Sequence, residues 1–190
     1  MLREAGNLLA DGITWVYNTL GFVGGGLFGL AYAPICLTGM HHSFIAIETQ
    51  LIAAKATTGG SFIFTTASMN NVAQGAAVLA VLFLTKNEKM KSICSASGVS
   101  ALLGITEPAV FGVNLKFMKP FVMSMIGGGV GGFLASIFHL RATGMSITGI
   151  PGTLLYLNEQ LPLYILVNVV AFGVAFGLTW MFGFNKKMEQ

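Results

Sequence analysis

The residue types that could do chemistry fall in three short stretches. In Gly-Ile-Thr-Glu-Pro, residues 104–108, the carboxylate of Glu107 stands among apolar residues, with Thr106 before it, Pro108 after it and Asn114 seven residues on. In Thr-Gly-Met-His-His-Ser-Phe, residues 38–44, His41 and His42 follow a glycine. In Ser-Met-Asn-Asn-Val-Ala-Gln, residues 68–74, Asn70 and Gln74 are four apart and share a helical face, with Asn71 beside them. Carboxylates, imidazoles and amides exchange hydrogen bonds with hydroxyl groups, and a carboxylate or imidazole can also take a hydroxyl proton. A polyhydroxyl ligand, a sugar, suits this set. A proton-coupled carrier would also use Glu and His, but would not need so many neutral amides.

Other readings of these residues stand beside that one. Glu107 could pair with a lysine or histidine to hold helices together. Asn70, Asn71 and Gln74 either bond neighbouring helices or line a cavity. Glu48 either shares the polar segment of His41 and His42 or is a solvated charge at an interface. No metal is expected, because His139 lies apart from the other two histidines and no HxxxH or HxxE spacing occurs. Cys36 and Cys94 lie in apolar surroundings without CxxC spacing and read as small buried hydrophobes. No cofactor is implied.

These residues sit in a chain built for a lipid bilayer. Of 190 residues 54% are hydrophobic and only 9% charged, against roughly 25% charged in a soluble domain. The net charge of +3 is small and the basic residues lie between apolar runs, which argues against a nucleic-acid partner. Crossing the hydrocarbon core takes about 20 apolar residues, and four stretches reach that length: about 13–37, 61–85, 118–140 and 160–184. Two others, about 38–58 and 92–116, are too polar to face lipid and predict re-entrant or broken helices buried in protein. The fold class expected is thus an all-α integral membrane protein with about four spanning helices and two re-entrant or broken segments.

Pro108 disfavours helix at Glu107 and removes a donor, and Gly104 and Gly112 permit tight turns around it. The glycine runs at 24–26 and 127–132 lack the Lys-Ser or Lys-Thr of a phosphate loop and predict close helix packing instead. Glu4 and Asp11 precede any apolar run, so no cleaved signal peptide is expected. With residues 1–12 cytoplasmic, the first span exits and the histidine segment dips back from outside. The second span then returns to Lys86, Lys89 and Lys91. The Glu107 segment dips from inside, and the last two spans bring Lys186 and Lys187 back in. This scheme places eight of the ten basic residues on the cytoplasmic side, Lys55 and Arg141 excepted. The tips carrying His41 and Glu107 then meet near the midplane.

The stretches GITEPAVFGVNLKFMKPF, LAYAPICLTGMHHSFIAIETQLI and NVAQGAAVLAVLFLTKNEKMKSICSASGVSALL resemble the membrane component, EIIC, of the bacterial sugar phosphotransferase system. The resemblance lies within the glucose-type superfamily, closest to the sucrose and β-glucoside branch, with trehalose permeases near it. It implies a multi-pass protein of the bacterial inner membrane that holds a disaccharide in an occluded pocket and carries it inward by rigid-body movement. The sugar would then be phosphorylated from a phosphocysteine on EIIB. It also implies that Glu107 and His41 contact sugar hydroxyls close to the one that receives phosphate, and that one or both orient that hydroxyl or accept its proton. The substrate-binding set would comprise Glu107, His41, His42, Thr106, Asn114, Asn70 and Gln74. The implied partners are EIIB and EIIA, HPr through them, a second copy in a homodimer, and the lipid bilayer. Residues 1–190 resemble the C-terminal half of such a domain, without the EIIB phosphocysteine or the EIIA phosphohistidine. A second chain is therefore expected to supply the N-terminal half of EIIC, or the chain is a remnant of a truncated gene.

Overall fold

A computed structural model describes residue 15, residues 19–157 and residues 159–184. The described residues form helices α1 Phe22–Leu37, α2 Phe44–Ala53, α3 Lys55–Thr58, α4 Phe62–Leu84, α5 Glu88–Leu102, α6 Glu107–Ala109, α7 Leu115–Phe117, α8 Lys119–Ile137 and α9 Leu161–Leu178. Short 3-10 turns at Met40–Ser43 and Pro151–Tyr156 and wider π turns at Val110–Asn114 and Thr179–Gly183 join them. The β pairing among the described residues is one isolated antiparallel bridge between Ser61 and Ala142. The protein is an all-α membrane protein. Three helical stretches, Phe62–Leu84, Lys119–Ile137 and Leu161–Gly183, are long and apolar enough to cross a bilayer, and the bent pair Phe22–Leu37 with Met40–Ala53 raises this to four. Of the first expected span, residues 13, 14 and 16–18 lie outside the described residues.

Helix α4 is the hub. It starts where the Ser61 hydroxyl accepts the backbone N–H of Phe64 at 3.1 Å, satisfying one of the free donors of the first turn. It packs on α1, α5, α8 and α9, and 78% of its most apolar stretch is buried, against 22% for the stretch that contains α9, most of whose surface the described residues leave uncovered. Burial on all sides lets α4 carry polar residues that lipid would not tolerate, each bonded to a different neighbour. The Thr65 hydroxyl meets the Tyr156 hydroxyl at 2.6 Å, and that of Ser68 meets Tyr164 at 2.5 Å. Asn70 donates to the carbonyl of Gly29 at 2.8 Å. Tyr156 stacks on Tyr164 at 3.8 Å, and burial pushes its hydroxyl above the usual range, leaving it neutral.

The glycine runs do serve close packing. A Cβ on Gly25 would collide with the Gly132 carbonyl and the Ser136 side chain, and one on Gly29 with the Gly128 carbonyl. Backbone therefore lies against backbone where α1 crosses α8.

These contacts also fix direction, and they correct the expected topology. Gly25 lies beside Ser136 and Gly29 beside Gly128, while Ala33 clusters with Phe121, so α1 runs antiparallel to α8. Phe64 clusters with Ala135, Met69 meets Gly131 and Asn70 meets Gly128, so α4 is antiparallel to α8 as well. Helices α1 and α4 therefore run the same way. Residues 38–60 must return from one end of the bundle to the other, which makes this segment a broken crossing, bent by 114° from α1, rather than a dip that begins and ends on one face. The charge tally could not detect this, because switching a dip to a crossing moves only the residues before the first span.

Helix α5 opens with Asn87 accepting the N–H of Met90 at 3.1 Å and with Glu88 in its first turn, where the helix dipole favours a carboxylate. It ends at Leu102, and the chain turns back through α6, the π turn and α7, the shape expected of a broken segment over 92–116. Replacing Gly132 by Val, whose side chain would meet the Gly25 backbone, is expected to cost about 1–3 kcal/mol through overpacking. Gly173→Ala, where a Cβ meets nothing within 4 Å, should be neutral or gain roughly 0.5–1 kcal/mol. Thermal melting of the detergent-solubilised protein compares the two.

Candidate functional site

Two interruptions of helix build the site. At the first, the Thr38 hydroxyl turns back to donate to the carbonyl of Ile35 at 2.7 Å, and Gly39 adopts φ 73°, a left-handed conformation that ends α1. The 3-10 turn then presents His41 and His42 with ring centroids 4.1 Å apart. His41 is half-buried, and its Nδ1 has no protein hydrogen-bond partner. His42 is exposed.

The second interruption spans Leu103–Thr106. Gly104 has φ 96°, and a Cβ there would press on the backbone of Thr148, so only glycine fits. The Ser100 hydroxyl donates to the carbonyl of Ile105 at 3.0 Å and the N–H of Ile105 to the carbonyl of Ser100 at 3.0 Å, closing the turn. The break falls just before Glu107 rather than at it. Glu107 opens α6, and Pro108 sits in that helix's first turn, where its missing N–H costs nothing.

The returning arm is pinned at its other end. Asn114 donates to Gln74 Oε1 at 2.5 Å and to the Gln74 backbone carbonyl at 3.3 Å. Ala109, Val113 and Phe117 pack into an apolar cluster with Val78, Val81, Cys94 and Ala101.

A third wall comes from the loop after α8. Ser61 and Ala142 exchange two backbone hydrogen bonds of 3.0 Å. Asn71 donates to the Thr148 hydroxyl at 2.5 Å and contacts the Gly104 carbonyl at 3.5 Å, so one amide ties α4, the loop and the second break together. The Gly149 N–H donates to Ser68 Oγ at 2.9 Å.

These walls enclose a cavity of about 290 Å³, near the small end of the roughly 300–1,000 Å³ typical of small-molecule sites. It is lined by Tyr32, Cys36 and Leu37 of α1, by His41, and by Ile45 and Glu48 of α2. Helix α4 contributes Phe64, Ala67 and Asn71. The second break and its arm contribute Gly104, Thr106, Glu107, Val110 and Phe111, and the loop adds Met145, Ser146 and Thr148. Among the described residues two carboxylates and one imidazole face the space and no lysine or arginine does. The walls are therefore rich in acceptors that ask for donors from whatever occupies the cavity.

Of the residues expected at the site, His41, Thr106 and Glu107 line this cavity together. His42 does not line it but packs against the His41 ring at a tilt of 37°. Asn70, Gln74 and Asn114 lie away from it, with their amides engaged between helices: Asn70 with α1, Gln74 and Asn114 with each other. The amide that reaches the cavity is Asn71. The signal was present in the sequence, since Phe64, Ala67 and Asn71 are spaced i, i+3, i+7 on one face of α4, whereas Asn70 and Gln74 share a different face. Tyr32, Ser146 and Thr148 belong to no sequence pattern that points to a site, and reach it only through the fold.

A helical membrane protein whose helices break around an internal polar cavity has the general build of a transporter. Residues 2–128 match the family described as Phosphotransferase system, EIIC, and the chain belongs to that family. It is 49% identical over 98% of its length to the PTS system sucrose-specific EIIBC component of Pasteurella multocida (strain Pm70), covering 40% of that protein. It is 51% identical over 98% of its length to the sucrose-specific EIIBC component of Vibrio alginolyticus, covering 39% of it. With the trehalose-specific EIIBC component of Bacillus subtilis (strain 168) it shares 37% identity over 93% of its length and 37% of that protein. The chain thus spans about two fifths of the length of these relatives. No solved structure gives a significant match.

Asn114→Ala should leave the Gln74 side chain buried without its partner and lower stability by about 1–3 kcal/mol. Adding Gln74→Leu removes the orphaned group, so the double variant should be less destabilised than the sum of the two single changes. Melting of the four proteins in detergent gives the cycle.

Proposed function

We propose that this chain is the sugar-binding and translocating part of a phosphoenolpyruvate-dependent permease that imports a sucrose-type disaccharide and phosphorylates it on entry. The observation that carries this reading is the convergence of His41, Thr106 and Glu107 from two separate helix breaks onto one acceptor-rich cavity within the bundle. A sugar hydroxyl between Glu107 and His41 would donate to one of them and be oriented for phosphoryl transfer. As the phosphoryl group passes to the hydroxyl oxygen, the hydroxyl proton passes to that carboxylate or imidazole. Thr106 supplies a neutral partner to the same sugar, and His42 backs the His41 ring. Asn70, Gln74 and Asn114 hold the walls at fixed separation.

The phosphoryl group comes, on this reading, from EIIB, recharged by EIIA and HPr. The sucrose-specific relatives are named EIIBC, and that of Pediococcus pentosaceus EIIBCA, which supports those modules as partners. The remaining half of the membrane domain closes the open side of the cavity, where Glu107 is exposed, and the assembly is a homodimer. Lys86, Lys89, Lys91, Lys116 and Lys119 gather at the end of the bundle where α4 ends and α8 begins, opposite Lys55 and Arg141. By the positive-inside rule the five-lysine end faces the cytoplasm of a bacterial inner membrane.

Glu107→Gln removes the proton acceptor while keeping the shape. In membranes supplied with phosphoenolpyruvate and the phosphocarrier proteins, sucrose phosphorylation is expected to fall by about 10²-fold or more. An unchanged rate would overturn the assignment.

A further inference from the structure

The cavity holds a second carboxylate that the sugar-phosphorylating reading does not use. Helix α2 buries two residues among those described, Phe44 and Glu48, four apart on one face. Phe44 enters an aromatic cluster with Phe28 and Tyr32, and one turn later the same face delivers Glu48 to the cavity. Glu48 is only 8% exposed. A carboxylate has about four lone-pair sites to satisfy, and the cavity that Glu48 faces is where they open. A buried carboxylate is costly unless charged partners or several donors compensate it, and among the described residues no lysine or arginine lines the cavity. Hydroxyl donors of a bound sugar would supply that compensation. Glu48 comes from α2 and Glu107 from the second break, so the cavity has acceptors on two separate walls.

We infer that Glu48 is a second ligand-binding residue, accepting a hydroxyl of the sugar remote from the one held at Glu107 and His41, and that it makes the cavity selective for molecules with hydroxyl donors at both ends. The inference rests on the sugar-binding reading of the cavity. It differs in assigning Glu48 to recognition, away from the hydroxyl that reacts.

The test is equilibrium binding of sucrose and its single-deoxy analogues to the assembled permease in membranes, in unsubstituted, Glu48→Gln and Glu107→Gln forms. Gln preserves the size of the side chain but removes the charge. Glu48→Gln is expected to weaken sucrose binding by about 10- to 100-fold, the range for a hydrogen bond to a charged group. This penalty should vanish for the one analogue that lacks the contacted hydroxyl, while the Glu107→Gln penalty persists on that analogue. If Glu48→Gln does not accumulate, Glu48→Asp, which retracts the charge by one methylene, should show the same dependence on the analogue. A penalty uniform across analogues, or none, would overturn the role of Glu48 and leave the sugar reading standing. Failure of the unsubstituted permease to bind any of these sugars would overturn both.

Discussion

The bundle depends on one constraint: a polar group at membrane depth must find its partner inside the protein. Helix α4 meets it through most of its polar side chains, with Gln74 Nε2 buried and unpartnered among the described residues. Thr65, Ser68, Asn70, Asn71 and Gln74 lie on a helix surrounded by others, and each bonds to a different element, from the tyrosines of the outer loop and α9 to the Gly29 carbonyl and the Asn114 arm. The polar residues act as spokes that fix α1, α9, the loop and the returning arm around one axis. In hydrocarbon, where apolar packing alone discriminates weakly between helix partners, such bonds supply the specificity.

The cavity follows from that arrangement. Two helices stop short, at Gly39 and at Gly104, and their breaks are tolerated because neighbouring protein takes up the freed backbone groups: Ser100 closes the turn at Ile105, and Asn71 reaches the Gly104 carbonyl. What remains between the breaks is a space with acceptors on several walls. The exposed apolar faces of α1 and α9, by contrast, carry Leu27, Leu30, Leu166 and Val169 outward, as lipid or further protein requires.

Much of this was legible in the residues. Glu107 among apolar neighbours, the paired histidines after a glycine and the polar composition of 38–58 and 92–116 marked the two breaks, because charge at membrane depth is tolerated in few places. The glycine runs announced close packing, as Gly25 against Gly132 bears out. The direction of α1 was not legible. It is decided by which end of α8 the glycines of α1 meet, a long-range contact without a local signature, and the lysine count is nearly the same for either direction. The allocation of α4's amides was half legible: Asn70 and Gln74 do share a face, but whether a face meets a helix or a cavity is settled by neighbours 30 to 80 residues away. The loop residues Ser146 and Thr148 carry no periodicity to read, and their place at the cavity depends on the Ser61–Ala142 bridge.

The aromatic stack at the lysine end gives the cavity a depth. Phe83, Phe176 and Trp180 lie together beside Lys86, with Phe83 and Trp180 exposed, the position aromatic side chains favour at a bilayer interface. Asn71 is twelve residues before Phe83 along α4, which at 1.5 Å per residue is about 18 Å, more than half of a hydrocarbon core roughly 30 Å thick. On the proposed orientation the cavity therefore extends through the bilayer's depth, from Asn71 beyond the midplane to Leu37, which packs with Phe121 and Leu115 toward the cytoplasmic lysine end.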